Sequence, residues 1–276
     1  MSEIYSVIDV SHWQGSINFN LVKASGVWGV IIKAGGSDAG LYTDPRFEEN
    51  YKNAKAAGLH VGAYYFVGKK CITAADGTAD ANRFMTMLVG KEFDMPVYMD
   101  VEAPAPTTKT GNTNAAIAFC RAMEKAGYFT GIYASDVSGF VQRLNSTQLL
   151  SFTWWVARYG SKPTQATRNM TMWQYSSSGS VSGITGRVDM NHCYIDFPTI
   201  IKNAGLNGYK KEDPAPEIDY EAEIAKLTEQ VHNLTDKNNR NAQFRTVIAL
   251  IINGEERLFN GIVKGVIATE KMGTSG

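Results

Sequence analysis

Residues 95–102 read Met-Pro-Val-Tyr-Met-Asp-Val-Glu, an apolar run that closes on two acidic side chains. A short apolar run of this kind is typical of a strand buried on both faces, as in a parallel sheet. Runs of the same character recur at residues 5–10, 28–34, 59–67, 130–134, 152–157 and 170–175. The sequence therefore predicts a fold built on repeated buried strands.

Helical stretches lie between most of these strands. The spacing of apolar residues predicts helices over residues 20–25, 44–57, 74–88 and 114–126. Alternating strands and helices predict a parallel sheet with the helices outside. Seven or eight strands in roughly 200 residues, without a Gly-x-Gly-x-x-Gly loop, fit a closed β/α barrel better than a dinucleotide-binding sheet. Little helix separates the later strands, so we expect a TIM-like α/β barrel that is incomplete in its second half.

The composition excludes several classes of protein. The chain has 276 residues, with 27 Lys+Arg balancing 27 Asp+Glu, and 44% of its residues are hydrophobic. This balance is that of a globular chain and carries none of the basic excess of a typical nucleic-acid binder. The first residues show no secretory signal pattern, and the longest apolar run, near residues 247–252, is too short to span a bilayer. We therefore expect neither a nucleic acid nor a membrane as partner.

The cysteines and histidines do not predict a metal centre. Cys71, Cys120 and Cys193 lie far apart and form no Cys-x-x-Cys pair, so reduced and partly buried thiols are expected. The four histidines lack the spacing of zinc ligands. We expect no metal and no cofactor.

Asp100 and Glu102 are the best candidates for chemistry. Alternate residues of a strand point to one face, which would put their β-carbons about 6.5–7 Å apart. Glycoside hydrolysis uses two carboxyl groups arranged in this way at the mouth of a barrel. Repulsion and partial burial would raise the pKa of one of them, leaving one acid and one anion. The alternative is a pair of solvated charges at a strand end.

Two further acidic residues accompany this pair, and aromatic residues stand beside the other predicted strand ends. Asp9 closes the first apolar strand, and Asp189 follows Val188. Sugars stack their C–H faces on aromatic rings, whereas core packing is the alternative for each single ring. The aromatic candidates for substrate binding are Tyr64, Tyr65, Tyr133, Trp155, Trp173 and Tyr175.

Several motifs occur in an order and spacing that resemble a known family. They are Asp9-Val10-Ser11-x-Trp13-Gln14-Gly15, Gly62-Ala63-Tyr64-Tyr65-Phe66, Asp100-Val101-Glu102, Gly131-Ile132-Tyr133, Trp155-Val156-Ala157-Arg158-Tyr159, and Trp173-Gln174-Tyr175 followed by Val188-Asp189-Met190-Asn191. Over residues 1 to about 205, the chain resembles glycoside hydrolase family 25, the Chalaropsis-type lysozymes or N-acetylmuramidases of bacteria and phages.

The resemblance implies a flattened barrel of eight strands with fewer helices. It also implies cleavage of the β-1,4 bond between N-acetylmuramic acid and N-acetylglucosamine in peptidoglycan. By position, Glu102 is the general acid, and Asp100 is the carboxylate that assists the acetamido group of the substrate. Asp9 and Asp189 match the other acidic residues of the groove. Tyr65 stands where many members have His, which leaves the role of this position open.

The expected partner is bacterial peptidoglycan, and the first interpretation is a phage or prophage endolysin. Without a signal peptide, such a protein would be made in the cytoplasm and would reach the cell wall after release through a holin. A bacterial autolysin is one alternative. A non-catalytic protein that binds cell-wall carbohydrate is another, although the presence of both Asp100 and Glu102 argues against it.

The composition changes after residue 208, where a charged, Pro-interrupted stretch begins. We therefore predict that the catalytic barrel covers residues 1–208 and that residues 209–219 form a linker. Residues 220–240 are predicted as a short heptad helix. Its apolar positions are Tyr220, Ile224, Leu227, Val231 and Leu234. Two heptads are marginal alone, so weak homo-oligomerisation and packing on the neighbouring domain both stay open.

Residues 241–276 are predicted as a β-hairpin, since Asn253-Gly254 separates two β-rich runs. Residues 239–276 resemble an internal piece of the non-canonical purine nucleoside triphosphate pyrophosphatases. The remaining nucleotide-binding and metal-binding segments of that family have no counterpart here, so no pyrophosphatase activity is expected. A third interpretation assigns the function of the protein to this tail, which would act as a nucleotide enzyme or as a partner-binding hairpin.

Overall fold

The computed structural model describes residues 3–211, 221–222, 224–228, 241–252 and 255–266. The chain divides into two compact units, Met1–Glu212 and Asp213–Gly276. In the described residues, no helix is both long and apolar enough to cross a membrane.

The first unit contains nine strands. They are β1 (Tyr5–Val10), β2 (Gly29–Gly36), β3 (Tyr42–Thr43), β4 (His60–Phe66), β5 (Val97–Asp100), β6 (Thr130–Ser135), β7 (Thr153–Ala157), β8 (Met170–Gly179) and β9 (Val188–Cys193). Their order in the sheet is β1-β9-β8-β7-β6-β5-β4-β2-β3, and β1 also pairs with β2. Eight strands therefore close into a barrel, and β3 lies at an edge beside β2.

Five α-helices accompany the strands. They are α1 (Phe19–Ala24), α2 (Phe47–Ala56), α3 (Ala74–Leu88), α4 (Lys109–Lys125) and α5 (Phe197–Ala204). Within residues 3–211 no α-helix lies between β7 and β8 or between β8 and β9. The barrel itself is closed, as the fold class predicted, and it is the helical layer that is incomplete in the second half.

The direction of β9 differs from the expectation of a parallel sheet. Strand β9 runs antiparallel to both β1 and β8, whereas the pairings from β2 through β4, β5, β6 and β7 to β8 are parallel. Only residues 180–187 connect β8 to β9, too few for the crossover that a parallel return requires. Neither β9 nor α5 was among the predicted elements.

Side chains of successive strand residues alternate between two apolar layers. One layer fills the barrel interior and includes Val7, Ile31, Tyr98, Trp155 and Met172. The other lies between the barrel and its helices and includes Ile8, Val30, Ile32, Phe84 and Phe119. Because the interior is filled, polar chemistry is restricted to the barrel ends.

A buried carboxylate ties together the end of the barrel at which the parallel strands begin. Asp94 is 3% exposed and accepts hydrogen bonds from Lys55 Nζ (2.8 Å), Lys202 Nζ (2.9 Å) and the Tyr209 hydroxyl (2.7 Å). Burial alone would raise the pKa of Asp94, but hydrogen bonds from His60, Lys55, Lys202 and Tyr209 outweigh burial and hold this pKa well below its usual range. The cluster joins α2, α5 and the segment before β5.

We expect Asp94→Asn to lower the free energy of unfolding at pH 7 by about 2–4 kcal/mol, since charged hydrogen bonds are lost while the lysines stay partly hydrated. The folded pKa is depressed, so the wild-type advantage is full above the unfolded pKa. It shrinks as the pH falls below about 4. Urea unfolding followed by circular dichroism at several pH values measures this. Exposed Glu124→Gln is the control, and equal stability of Asp94→Asn and wild type at pH 7 would contradict the account.

The second unit contains the predicted hairpin. Strand β10 (Asn241–Ile252) pairs antiparallel with β11 (Glu255–Val266), with Asn241 opposite Val266 and Ile252 opposite Glu255. The structure thus confirms the β-hairpin over residues 241–252 and 255–266, while turn residues 253–254 and residues 267–276 lie outside the described residues.

Only part of the predicted heptad helix is described. Residues 221–222 and 224–228 are helical. Ile224 and Leu227 are exposed in them, at 62% and 53%. Tyr220, Val231, Leu234 and linker residues 212–219 lie outside the described residues, so association through this segment stays a prediction.

Candidate active site

Acidic side chains that lie far apart in the sequence meet at one rim of the barrel. Asp9 lies near the end of β1 and Asp100 ends β5, so both reach the rim where the parallel strands terminate. Asp189 lies near the start of β9, and the antiparallel direction of β9 brings this start to the same rim. Asp9 and Asp189 are direct partners in the β1–β9 register.

Asp9, which is buried, and Asp189, which is half-buried, form a pair of like groups. Asp9 is 5% exposed and accepts hydrogen bonds from Asn191 Nδ2 (2.8 Å) and Gln174 Nε2 (3.0 Å). Burial, followed by the charge of Asp189, raises the pKa of Asp9 well above its usual value. Burial also raises the pKa of Asp189. Two carboxylates this close do not both ionise readily, so the pair favours sharing one proton.

Asp100 and Glu102 occupy different environments although only one residue separates them. Asp100 is 4% exposed, and its Oδ1 has no hydrogen-bond partner in the described residues. Glu102 follows the end of β5 and is exposed. Burial and then the charge of Glu102 raise the pKa of Asp100 well above its usual value, and partial desolvation of its carboxyl group raises the pKa of Glu102 as well. The site thus contains two carboxyl groups that hold protons more firmly than free carboxyl groups do.

Two cationic side chains oppose these upward shifts, and the sequence analysis missed both. Lys33, on β2, is 9% exposed, and its Nζ lies 4.8 Å from the ring centroid of Phe66. Its charge lowers the pKa of Asp100 and Glu102. Arg143 also lowers the pKa of Glu102, and it is oriented by a 2.7 Å hydrogen bond from its Nε to the Pro104 carbonyl. A lone lysine inside an apolar strand was the available signal for Lys33.

Three of the aromatic candidates lie inside the barrel below the carboxyl groups. Trp155 is 1% exposed and donates from Nε1 to Asn191 Oδ1 at 2.7 Å. Its ring contacts those of Tyr133 (4.4 Å between centroids) and Tyr64 (6.2 Å). Tyr64 is partly exposed, whereas Trp155 supports the floor from beneath, out of reach of solvent. Direct substrate contact therefore fits Tyr64 and does not fit Trp155.

Tyr65 does not face the groove, which corrects the expectation from the sequence. It is fully buried against Phe84 and Phe119, at centroid distances of 5.6 and 6.4 Å, and its hydroxyl donates to Asp80 Oδ1 at 3.2 Å. Because strand side chains alternate, Tyr64 points into the barrel and Tyr65 toward the helices. This tyrosine belongs to the core.

Trp173 and Tyr175 do not point into the barrel interior, and their contact with substrate stays a prediction. Both flank Gln174, whose side chain bonds to Asp9 inside the barrel. Trp173 donates from Nε1 to the Arg158 carbonyl at 2.8 Å, and the Tyr175 ring stacks on His192 at 4.3 Å. Strand alternation therefore puts these rings on the outer wall.

Tyr159 and Gln174 are site residues that the sequence analysis quoted within motifs but did not select. The Tyr159 side chain is exposed, and its hydroxyl donates to Gln174 Oε1 at 3.0 Å. The Tyr133 hydroxyl donates to the same oxygen at 2.7 Å. Burial, then the charges of Asp189, Glu102 and Asp9, raises the pKa of Tyr159 to about 12. Tyr159 therefore lies at the mouth of the site.

No group of three or more His, Cys, Asp or Glu side chains could hold a metal ion in the part of the chain that the structure describes. Cys71, Cys120 and Cys193 are free and buried. The chemistry available here is proton transfer by a carboxyl group of raised pKa beside a second carboxyl group that can stabilise positive charge. Both are requirements of glycoside hydrolysis.

Comparison with known proteins agrees with this geometry. A family model described as glycosyl hydrolases family 25 matches residues 8–184. The chain is 32% identical over 184 residues to the autolytic lysozyme of Clostridium acetobutylicum. The aligned region covers 67% of this chain and 54% of that protein. The chain thus spans about half the length of that relative.

Two solved structures share the fold. A bacterial lysozyme from Streptomyces coelicolor superposes with a TM-score of 0.61 and 32% identity, covering 72% of this chain and 96% of that one. The CTP1L endolysin superposes with a TM-score of 0.63 and 28% identity, covering 72% of this chain and 70% of that one.

The tail matches a second family. A family model described as the Ham1 family matches residues 206–276. The dITP/XTP pyrophosphatase of Christiangramia forsetii is 45% identical over 74 residues, which are 26% of this chain and 37% of that protein. The match confirms the resemblance of the tail to a fragment of this family.

Proposed function

The chain belongs to glycosyl hydrolases family 25, and from this membership we propose that it is a muramidase. The proposed reaction is hydrolysis of the β-1,4 bond between N-acetylmuramic acid and N-acetylglucosamine in bacterial peptidoglycan. The observation that carries the proposal is the pair of carboxyl groups of Asp100 and Glu102 at the rim of the barrel. The buried Asp100 has an oxygen without a partner, and Glu102 stands beside it with a raised pKa.

Glu102 is the proposed general acid. It is exposed at the mouth of the site, where a glycosidic oxygen can approach it. Partial desolvation of its carboxyl group raises its pKa, which keeps a proton available at a pH where an ordinary glutamate has lost it. In the first step, the glycosidic C1–O bond breaks, and the leaving oxygen takes the proton of Glu102.

Asp100 is the proposed partner of the acetamido group of the substrate. The acetamido oxygen attacks C1 as the glycosidic bond breaks, and positive charge develops on the resulting oxazolinium ring. Oδ1 of Asp100 is buried and unpaired in the described residues, so it is free to accept the acetamido N–H. Water then attacks C1, gives its proton to the Glu102 carboxylate and reopens the ring.

The remaining groups of the rim support binding. The Asp9–Asp189 pair supplies acidic oxygens on the groove floor, and Tyr64 supplies a partly exposed ring. Lys33 limits the upward pKa shifts of Asp100 and Glu102. Asp100 must be ionised to stabilise the positive charge, and the ammonium group of Lys33 favours that ionised form.

A sedimentation assay with purified peptidoglycan tests this function against a non-catalytic alternative. The full chain is expected to release soluble saccharide fragments from the insoluble wall over time. Co-sedimentation of the protein with the wall, without release of fragments, would instead identify a carbohydrate-binding protein. Absence of both release and binding would also overturn the proposal.

We further propose that the protein is a phage or prophage endolysin that acts on the wall after holin-mediated release. The structural likeness to the CTP1L endolysin supports this, while the likeness to an autolytic lysozyme favours a bacterial autolysin as the second candidate. Expression in bacterial cytoplasm with and without a co-expressed holin separates them. The endolysin requires the holin for lysis, whereas lysis without the holin would point to another export route.

For the C-terminal unit we propose no pyrophosphatase activity. The match covers only 37% of the Christiangramia forsetii enzyme. We expect the full chain to release no pyrophosphate from dITP or XTP in the presence of Mg²⁺ above the level of a protein-free control. Turnover of either nucleotide would show that the tail is a working enzyme.

A further inference from the structure

We propose that Gln174 is a positioning residue that holds the ring of Tyr159 at the groove mouth as a platform for a saccharide unit. This inference rests on the proposed function and extends it to the binding of the substrate. It is drawn from a hydrogen-bond network that links the exposed Tyr159 to the buried Asp9 through one amide.

The two ends of the Gln174 amide have different partners, which fixes its orientation. Oε1 accepts the hydroxyls of Tyr133 (2.7 Å) and Tyr159 (3.0 Å). Nε2 donates to both carboxylate oxygens of Asp9, at 3.2 and 3.0 Å. In a flipped amide the oxygen would face the Asp9 oxygens, and the two hydrogen bonds that Nε2 donates to Asp9 would be lost. At 2% exposure, Gln174 has no water to replace a lost partner.

The side chain of Tyr159 is exposed, but its hydroxyl group is held by a hydrogen bond. The residue is 54% exposed, an unusual state for a large aromatic side chain whose hydroxyl bonds to a buried group. Its ring is therefore offered to solvent at a fixed position beside the carboxyl groups. A flat apolar ring with a fixed tip is suited to stacking on the C–H face of a sugar.

The backbone that carries Tyr159 is held independently. Asp136 is 2% exposed and accepts hydrogen bonds from Arg158 Nη1 (2.7 Å) and from the backbone N–H groups of Thr164 (2.9 Å) and Ala166 (2.7 Å). These bonds close the loop that follows β7. Asp136 thus fixes the base of Tyr159, and Gln174 fixes its hydroxyl.

Holding the ring in place lowers the cost of binding. An aromatic side chain that is ordered before the substrate arrives loses little conformational entropy on contact. Releasing the hydroxyl would weaken binding without removing the proton donor Glu102. The expected signature is therefore a rise in KM with a nearly unchanged kcat.

A double-mutant cycle on soluble peptidoglycan fragments tests the inference. We expect Tyr159→Phe to raise KM about 3- to 10-fold, the effect of losing one hydrogen bond, with kcat within about twofold of wild type. Tyr159→Ala should raise KM further, because the platform itself is lost. Gln174→Met should raise KM at least as much as Tyr159→Phe does. If the two residues act together, the double variant Gln174→Met, Tyr159→Phe should have no higher a KM than Gln174→Met alone. Tyr5→Phe, far from the groove, is the matched control.

Additive effects of Gln174→Met and Tyr159→Phe on KM would overturn the coupling. An unchanged KM in Tyr159→Phe would overturn the role of the hydroxyl, and this exposed substitution keeps the test available if Gln174→Met fails to fold. Binding of the same fragments to Glu102→Gln proteins, measured by calorimetry, repeats the cycle without turnover. A wild type that does not hydrolyse peptidoglycan refutes the proposed function, whereas a hydrolysing wild type with an unmoved KM in Tyr159→Phe refutes only this inference.

Discussion

Glu102→Gln is expected to reduce hydrolysis of peptidoglycan by about 10²–10⁴-fold, the usual contribution of general acid catalysis. The amide keeps the shape of the side chain but cannot protonate the leaving oxygen. Because Glu102 is exposed and no side-chain hydrogen bond is seen for it in the described residues, the substitution should leave the fold intact. Initial rates of fragment release, with circular dichroism as a check of folding, measure the effect.

Glu124→Gln provides the matched control, since Glu124 is exposed and forms an ion pair with Arg121 on α4. It should retain wild-type activity. If a folded Glu102→Gln protein works within threefold of wild type, Glu102 is not the acid, and another group at the rim must supply the proton.

Asp100→Asn is expected to lower kcat by about 10²–10³-fold, the usual loss when a group aimed at developing charge is removed. It should also move the basic limb of the pH–rate profile toward lower pH. The sign follows from the coupling of the two groups, since the charge of Glu102 raises the pKa of Asp100. In wild type the pair loses its second proton against the charge already present on the other carboxylate, so this loss occurs at higher pH. Asp100→Asn removes that charge, and Glu102 alone then loses its proton at lower pH.

The residual activity of Asp100→Asn, measured as kcat/KM across pH on soluble fragments, gives this limb. If the basic limb of Asp100→Asn lies at the same pH as the basic limb of wild type, the two carboxyl groups are not coupled. Wild-type kcat would remove Asp100 from the chemistry altogether.

Strand ends were the most informative feature of the sequence. Asp9 and Asp100 close apolar strands, and in a parallel barrel such ends must share one rim, so their meeting could be predicted. Asp189 reaches that rim by a different route, because β9 runs antiparallel and presents its start there. Nothing in the short segment before Val188 indicated that direction, and only the resemblance to the family placed Asp189 in the groove.

The aromatic residues of two motifs were hard to place for one physical reason. In Gly-Ala-Tyr-Tyr-Phe and Trp-Gln-Tyr, adjacent residues point to opposite faces of the strand, so at most one face of each motif can line the groove. Aromatic rings fit either side, and the sequence does not state which face is inside. The polar Gln174 was the better guide, since a buried polar side chain requires partners and therefore marks the network around Asp9.

The roles of Lys33 and Tyr159 depend on burial and loop geometry, which the sequence alone does not reveal. A lysine in an apolar strand is recognisable, but its effect on the carboxyl groups depends on the packing of β2 beside β4 in the closed barrel. Tyr159 lies beyond a strand end, in a loop whose course is set by the hydrogen bonds to Asp136. Such long-range contacts have no local pattern in the sequence.

Mass spectrometry of purified peptidoglycan digested by the full chain, with borohydride reduction of the new ends, tests the central claim most directly. Hydrolysis at the proposed bond leaves N-acetylmuramic acid at each new reducing end, so the reduced products should terminate in N-acetylmuramitol. Products that terminate in N-acetylglucosaminitol, or that differ from the substrate only by cut peptides, would contradict the account.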